Sequence, residues 1–424
     1  PGRTVSIETP FGRFFQYLSA ATCLRYLQIN HLEEYMFRTA SLAAALIASA
    51  FCVAPGTAQS SQSTEQSLQW AEYRVVFENN PARLASGQPG GVSVRTVNGA
   101  EVLTVTRTTA MLKGVDFSEG VIEFDLALDN KRGFGGLLWH ANGPDAEYFY
   151  LRQHKSGLPD AGQYTPIRND LTSWQLYSDR NAIAPFAFTH EGWNRFKMVV
   201  AGDKADIYLN GSQRPVLHIP DLAADQRSGA IGFRAAGPNG EIRIANLNVR
   251  PLAEGDEIVG QSATDRSAPE GTVTRWSVSH RFAEADVAGE LELPDELGSL
   301  QQLGTVEVEP FGIADISRLG GPDDGADTVL VSSKITADKA KRVRLQFGYS
   351  DRVRLFLNGE LIFDGFAGFR ARDFFFLGTI GFEDAVTLNL RQGENRLTAA
   401  VSETFGGWGF AGAIADREGL KIEP

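Results

Sequence analysis

Tyr148, Tyr150, Arg152 and His154 occupy alternate positions in the stretch EYFYLRQHKSG. Alternate side chains of an extended chain share a face, so two phenols, a guanidinium and an imidazole are expected to point the same way. Flat rings stack on the apolar C–H faces of a sugar, and Arg and His hydrogen-bond its hydroxyls. Apolar walls with a few converging polar groups are the usual make-up of a binding pocket. The amphipathic run continues through Asp160, Gln163, Tyr164, Arg168, Asn169, Trp174 and Tyr177 to Asp179. The expected binding set is Tyr148, Tyr150, Arg152, His154, Gln163, Tyr164, Trp174 and Tyr177, with Arg152 and His154 as polar anchors. If the segment does chemistry, His154 is the candidate general base, because imidazole titrates near neutral pH, and Asp160 or Asp179 would assist it. The plainer alternative is that these rings are core and that Arg beside Tyr is a solvated, stacked face.

Other chemistries find little support. No G-x-S-x-G elbow is present, and the strand-rich pattern lacks the strand–helix turn that such a nucleophile needs. No CxxC or HExxH occurs, and His140, His154, His190, His218 and His280 lie in separate segments, which argues against a zinc site. The acidic turns LPDAGQ and GGPDDGAD are the places where a structural calcium ion could sit; no other cofactor is implied. A second candidate site is Asp351, Arg352 and Trp408, where a Trp between glycines could form a loop-tip platform.

These residues need strands to position them. From Trp70 onward, short alternating segments such as GVIEFDLAL, GGLLWHA, ADIYLNG and EIRIANLNVRPL are rich in Val, Ile, Phe and Tyr and separated by turn residues, the pattern of an antiparallel sandwich. Residues 253–272 lose the period and read as a linker rich in Gly, Ser, Pro and acids. Strand patterns then resume. The expected fold is all-β, two antiparallel β-sandwich domains of jelly-roll type at 70–252 and 273–424 joined by that linker. DIYLNGSQRPVL and RLFLNGELIFDG each place Asn-Gly between β-prone runs, which suits a type I′ hairpin turn.

Residues 36–58, MFRTASLAAALIASAFCVAPGTA, read as a secretory signal peptide: Arg38, an apolar run from Leu42 to Val53, then small residues before Gln59. Residues 1–35 are read as an upstream extension and 59–69 as a flexible spacer. Both cysteines, Cys23 and Cys52, precede the expected cut, so no disulfide or thiolate chemistry is expected beyond it. The expected location is periplasmic or secreted, with no membrane association after cleavage. A net charge of −12 argues against a nucleic-acid partner, which requires a basic surface.

In the order GVIEFDLAL, GFGGLLWHA, EYFYLRQHKS, EGWNRFKMVVAGDKADIYLNG, GAIGFRAAG, EIRIANLNV, the first domain resembles the concanavalin A-like (laminin-G-like) sandwich, and within it the secreted 3-keto-disaccharide hydrolase-like family. The chain has Phe134-Gly135-Gly136 where that family has Asn-Ser-Gly. Laminarinase-like relatives carry Glu-x-Asp-x-x-Glu on one strand; here Glu123 and Asp125 are followed by Leu128, so the carboxylate pair that glycoside hydrolysis needs is incomplete. GYSDRVRLFLNGELIFDG and LRQGENRLTAAVSETFGGWGF resemble a galactose-binding-like jelly roll. The resemblance implies a carbohydrate ligand, with a glycoside or 3-keto-disaccharide hydrolase as the alternative. A structural or adhesion role, with the second domain docking on a protein through the Phe366–Phe376 run, is the other.

Overall fold

The computed structural model describes residues 70–73, 90–97, 99–323, 325–373 and 376–424. The expected signal peptide at 36–58, the extension at 1–35 and the spacer at 59–69 lie outside the described residues. Among the described residues no helix is long and apolar enough to cross a membrane.

The chain is nearly all β, as its alternating pattern predicts. Among the described residues, the first half builds an eight-stranded and a seven-stranded antiparallel sheet. Strands Phe134–Asn142, Asp145–Arg152 and Gly162–Arg168 run side by side in the eight-stranded sheet, and Gly120–Leu128 and Asn194–Ala201 pair in the other. Inward residues of both sheets, including Phe124, Phe149, Phe196 and Phe233, form one core. Each ring removed from water at this depth contributes about 1.5–3 kcal/mol. The second half builds a seven-stranded and a four-stranded sheet over a second core that holds Trp276, Phe347 and Trp408.

The described residues from Trp70 to Pro424 form one compact unit. Ile313, Ile380 and Ala411, from the second half, are part of the first core. Residues 253–272 carry no regular strand or helix, yet they are strapped to the first half. The amides of Val259 and Gly260 donate to buried Asp206 at 2.8 and 2.9 Å. Arg266 pairs with Asp179 at 3.1 Å, and the Ala263 amide donates to Asn181 at 2.6 Å.

Both Asn-Gly turns adopt the positive φ that their residue types favour, at Asn210-Gly211 and Asn358-Gly359. Only the second is a two-residue hairpin, joining Arg352–Leu357 to Glu360–Phe366. The first opens into a wider loop, because Leu217 rather than Arg214 pairs with Ile207.

Candidate functional site

The strand Asp145–Arg152 presents Tyr148, Tyr150 and Arg152 on the outer face of the eight-stranded sheet, as alternation predicts. Leu138, Ala146, Tyr148, Tyr150 and Ile167 form a small apolar cluster there, apart from the main core. The phenol rings of Tyr148 and Tyr150 stack at 5.1 Å, and the Arg152 guanidinium lies 5.2 Å from the Tyr150 ring centre. Gln163 stands opposite Tyr150 on the next strand. Its side-chain oxygen accepts from the Tyr150 hydroxyl at 2.7 Å and from Arg152. Its amide nitrogen donates to the backbone carbonyls of Trp174 (2.8 Å) and Tyr177 (2.5 Å). Four of the expected residues are therefore brought together: Tyr150, Arg152 and Gln163 are locked by mutual hydrogen bonds, and Tyr148 stacks on Tyr150.

Three expectations need correction. First, these groups do not form an open stacking surface: Tyr148, Tyr150, Arg152 and Gln163 are all buried. Burial holds both phenols above their ordinary pKa, that of Tyr148 clear of the physiological range, so they stay protonated donors. Second, Tyr164 and Tyr177 belong to the core side. Tyr164 is opposite Phe149 and faces inward with it; its hydroxyl donates to buried Glu147 at 2.6 Å and accepts from the Ala223 amide at 2.6 Å. Tyr177 lies in the same core and accepts from Arg168 at 3.4 Å. Third, the strand ends at Arg152, and His154 sits in the 3-10 turn Gln153–Lys155, which Gly157 closes with a positive φ.

That turn forms a half-buried rim. Lys155 Nζ donates to Asp160 at 2.6 Å, and Arg152 donates to the Asp160 carbonyl at 2.8 Å. These cations hold the Asp160 carboxyl below the ordinary range against the opposing pull of desolvation. The pKa of His154 is lowered by burial and by Lys155, Arg132 and Arg152, so its imidazole is neutral at pH 7, and its Nδ1 is buried without a partner. The Tyr148 hydroxyl is also buried without a partner. As an acid–base set the residues fit poorly: Asp160 is engaged by Lys155 and Arg152, and Asp179 by Arg266 and the Asn181 amide. Glu123 and Asp125 lie on the other sheet and pair with Arg195 at 3.5 and 3.4 Å. Trp174 is half-buried, 5.8 Å from the Phe405 ring.

The second candidate set separates. Trp408 is fully buried in the second core, its indole N–H donating to the Val401 carbonyl at 3.1 Å, so it is no loop-tip platform. Asp351 is buried and accepts from the amides of Thr404 and Phe405 at 3.1 and 3.0 Å. Arg352 alone reaches a surface, where it lines an open cleft of about 370 Å³ with Glu284, Arg354, Asp364, Phe366 and Ser402. The sequence signal for this cleft is the alternation of RVRLFLNGELIFDGF, which puts Arg352 and Arg354 on one face and, across the hairpin, Phe366 and Asp364 opposite them. Glu284 arrives from a distant segment and carries no such signal. Phe366 is exposed, whereas Phe369 and Phe376 are half-buried, so a continuous docking patch along that run is not what the described residues form.

Among the described residues no three His, Cys, Asp or Glu gather as a metal-holding group. The acidic turns offered for calcium instead face cations or amides: Asp160 pairs with Lys155, Asp323 with Arg281, and Asp327 accepts from the Glu284 amide.

No family model matches this chain, and neither does any curated protein. Among solved structures, it shares 12% identity with the carbohydrate binding module CBM66 from Bacillus subtilis, over 38% of this chain and 92% of that one, at a TM-score of 0.24. A Bacillus subtilis protein of unknown function with a galectin-like fold gives 15% identity, 42% and 97% coverage and a TM-score of 0.29. A Bacillus licheniformis β-glucanase gives 12%, 45% and 95%, and 0.32. At these values the likenesses assign no activity and no site to this chain.

Proposed function

We propose that the protein is a secreted carbohydrate-binding protein whose site lies at the edge of the eight-stranded sheet's outer face. Tyr150, Arg152 and Gln163 form its floor and His154, Lys155 and Asp160 its rim. The observation that carries this reading is the buried Tyr148 hydroxyl, left without a partner beside a network in which Tyr150, Arg152 and Gln163 satisfy one another. An unsatisfied buried hydroxyl costs about 1–3 kcal/mol, and a ligand hydroxyl entering past the rim would recover it. The rim supplies donors and acceptors together: a neutral imidazole, an ammonium and a carboxylate, which suit the paired hydroxyls of a sugar. The buried rings contribute shape rather than an open platform.

Glycan binding by the intact protein tests this. His154→Ala, on the rim, and Arg152→Gln, on the floor, should each weaken binding at least tenfold, with thermal melting followed to separate binding from folding. Variants that fold and bind like the parent would place any sugar site elsewhere.

A further inference from the structure

The outer face of the second half's seven-stranded sheet is covered over only part of its length. Residues of the 282–300 segment, among them Phe282, Val287 and Leu297, pack on Leu330, Phe356 and Ala400 as a third apolar cluster. Ala288 and Gly289 of this segment stand at the rim of a cleft. Beyond them the same face continues as Arg352, Arg354, Asp364, Phe366 and Ser402, and the step between cover and sheet is the cleft of about 370 Å³. The placement follows from register: Arg352 is opposite Phe366 and Ser402, and Arg354 is opposite Asp364 and Ala400. The neighbouring Val353 and Leu355 point the other way into the core.

Three features of the cleft select among ligand classes. Its charged walls balance, with two guanidiniums against the carboxylates of Glu284 and Asp364, so it offers no net attraction to an anion or a cation. It has one exposed ring: Phe366 is 48% accessible, and the Arg352 guanidinium lies 4.5 Å from its centre. Its polar groups are held in place yet keep capacity. Arg354 is fixed by Asp364 and the Glu290 carbonyl while its Nε remains buried without a partner, and Arg352 Nε is 3.5 Å from Glu284. Fixed carboxylates and guanidiniums side by side accept from and donate to vicinal hydroxyls in the same plane. The exposed part of the Phe366 ring, one face of which carries the Arg352 guanidinium, stacks on the apolar face of a pyranose. The volume falls at the small end of ligand pockets, about 300–1,000 Å³, room for a short sugar rather than a long chain.

We infer that this cleft is a second, independent binding site that takes a neutral mono- or disaccharide, with Phe366 as the apolar platform and Arg352, Glu284 and Asp364 as the hydroxyl partners. It shares no residue with the site at His154 and does not depend on it.

The test is calorimetric titration of the full chain with glucose, galactose, maltose, cellobiose and glucuronate, using Phe366→Ala, Arg352→Ala and, as the control for the other site, Arg152→Gln. Phe366 and Arg352 are exposed at the surface, so both variants should melt like the parent. At least one neutral sugar is expected to bind the Arg152→Gln protein and to lose tenfold or more in affinity when Phe366→Ala is added. Glucuronate is expected to bind more weakly than glucose. Binding of every sugar unchanged by Phe366→Ala, glucuronate binding as tightly as glucose, or no sugar binding at all would each overturn the inference. Loss of all binding in Arg152→Gln alone would overturn it too, while leaving the site at His154 standing.

Discussion

Glu147 is the residue in the EYFYLR stretch whose behaviour depends most on its face. It alternates with Tyr148 and so points into the core, where its carboxylate accepts from the Tyr164 hydroxyl at 2.6 Å and the Ala224 amide at 3.0 Å. Burial pushes its pKa up to about 7 from 4.5, against the lowering effect of those bonds and of Arg168 and Arg227. The folded protein therefore holds a proton that the unfolded chain releases. Its contribution is fully present below about pH 4.5 and is lost as pH climbs toward 7, a change on the order of 3 kcal/mol. Glu147→Gln carries no proton, and urea unfolding at pH 5, 6 and 7 should lose this group's part of the slope: the variant gains on the parent as pH rises. A parallel pair of curves would mean that Glu147 titrates as it does in the unfolded chain. The same strand shows why the site was only half legible in sequence. Period two assigned Tyr148, Tyr150 and Arg152 to one face correctly, but both faces carry large aromatic residues. The pattern therefore does not say which one is the core, and Tyr164 was placed with the wrong set.

At the scale of elements, local turn chemistry was readable and long-range anchoring was not. Asn-Gly predicted two positive-φ turns, and in both the Asn side chain also accepts an amide of the neighbouring strand: Asn210 from Arg195 at 2.8 Å and Asn358 from Arg396 at 2.9 Å. The 253–272 segment shows the opposite case. Its loss of period correctly implies no strand or helix, but its partners are buried polar groups far away in sequence. Asp206 is the clearest of them, accepting from Val259, Gly260 and His218 Nδ1 at 2.8, 2.9 and 2.7 Å. Removing that carboxylate leaves two amides without their acceptor. Asp206→Ala is expected to destabilise the protein by about 1–3 kcal/mol and to speed hydrogen exchange at the Val259 and Gly260 amides selectively. Unchanged exchange there would show that the strap is held by its other contacts.

At the scale of the whole molecule, Arg168 and Asn169, which read as part of a ligand surface, join the two halves together with Ser173 and Gln175. Arg168 reaches Asp315 and lies 3.2 Å from Glu309, Asn169 donates to the Ser317 carbonyl at 2.7 Å, and Ser173 donates to Asp315 at 3.1 Å. Gln175 accepts from Ser350 at 2.9 Å and bonds through its backbone to Gly406 and Ile380 at 3.0 Å each. Sequence alone cannot separate these uses, because a buried interface and a sugar site call for the same mixture of ring, amide and guanidinium. Charge burial makes the joint sensitive. Arg168 is buried with its pKa held well above the ordinary value by Tyr177, Asp315 and Glu309, against desolvation. With a shared core and this ion cluster between them, the halves are expected to unfold in a single calorimetric transition. Asp315→Ala leaves the buried guanidinium with Glu309 as its one remaining carboxylate and should cost about 3 kcal/mol. The double change Arg168→Met with Asp315→Leu removes both charges and should recover most of that loss. Two separate transitions in the parent, or a double variant no more stable than Asp315→Ala, would show that the halves do not depend on this joint.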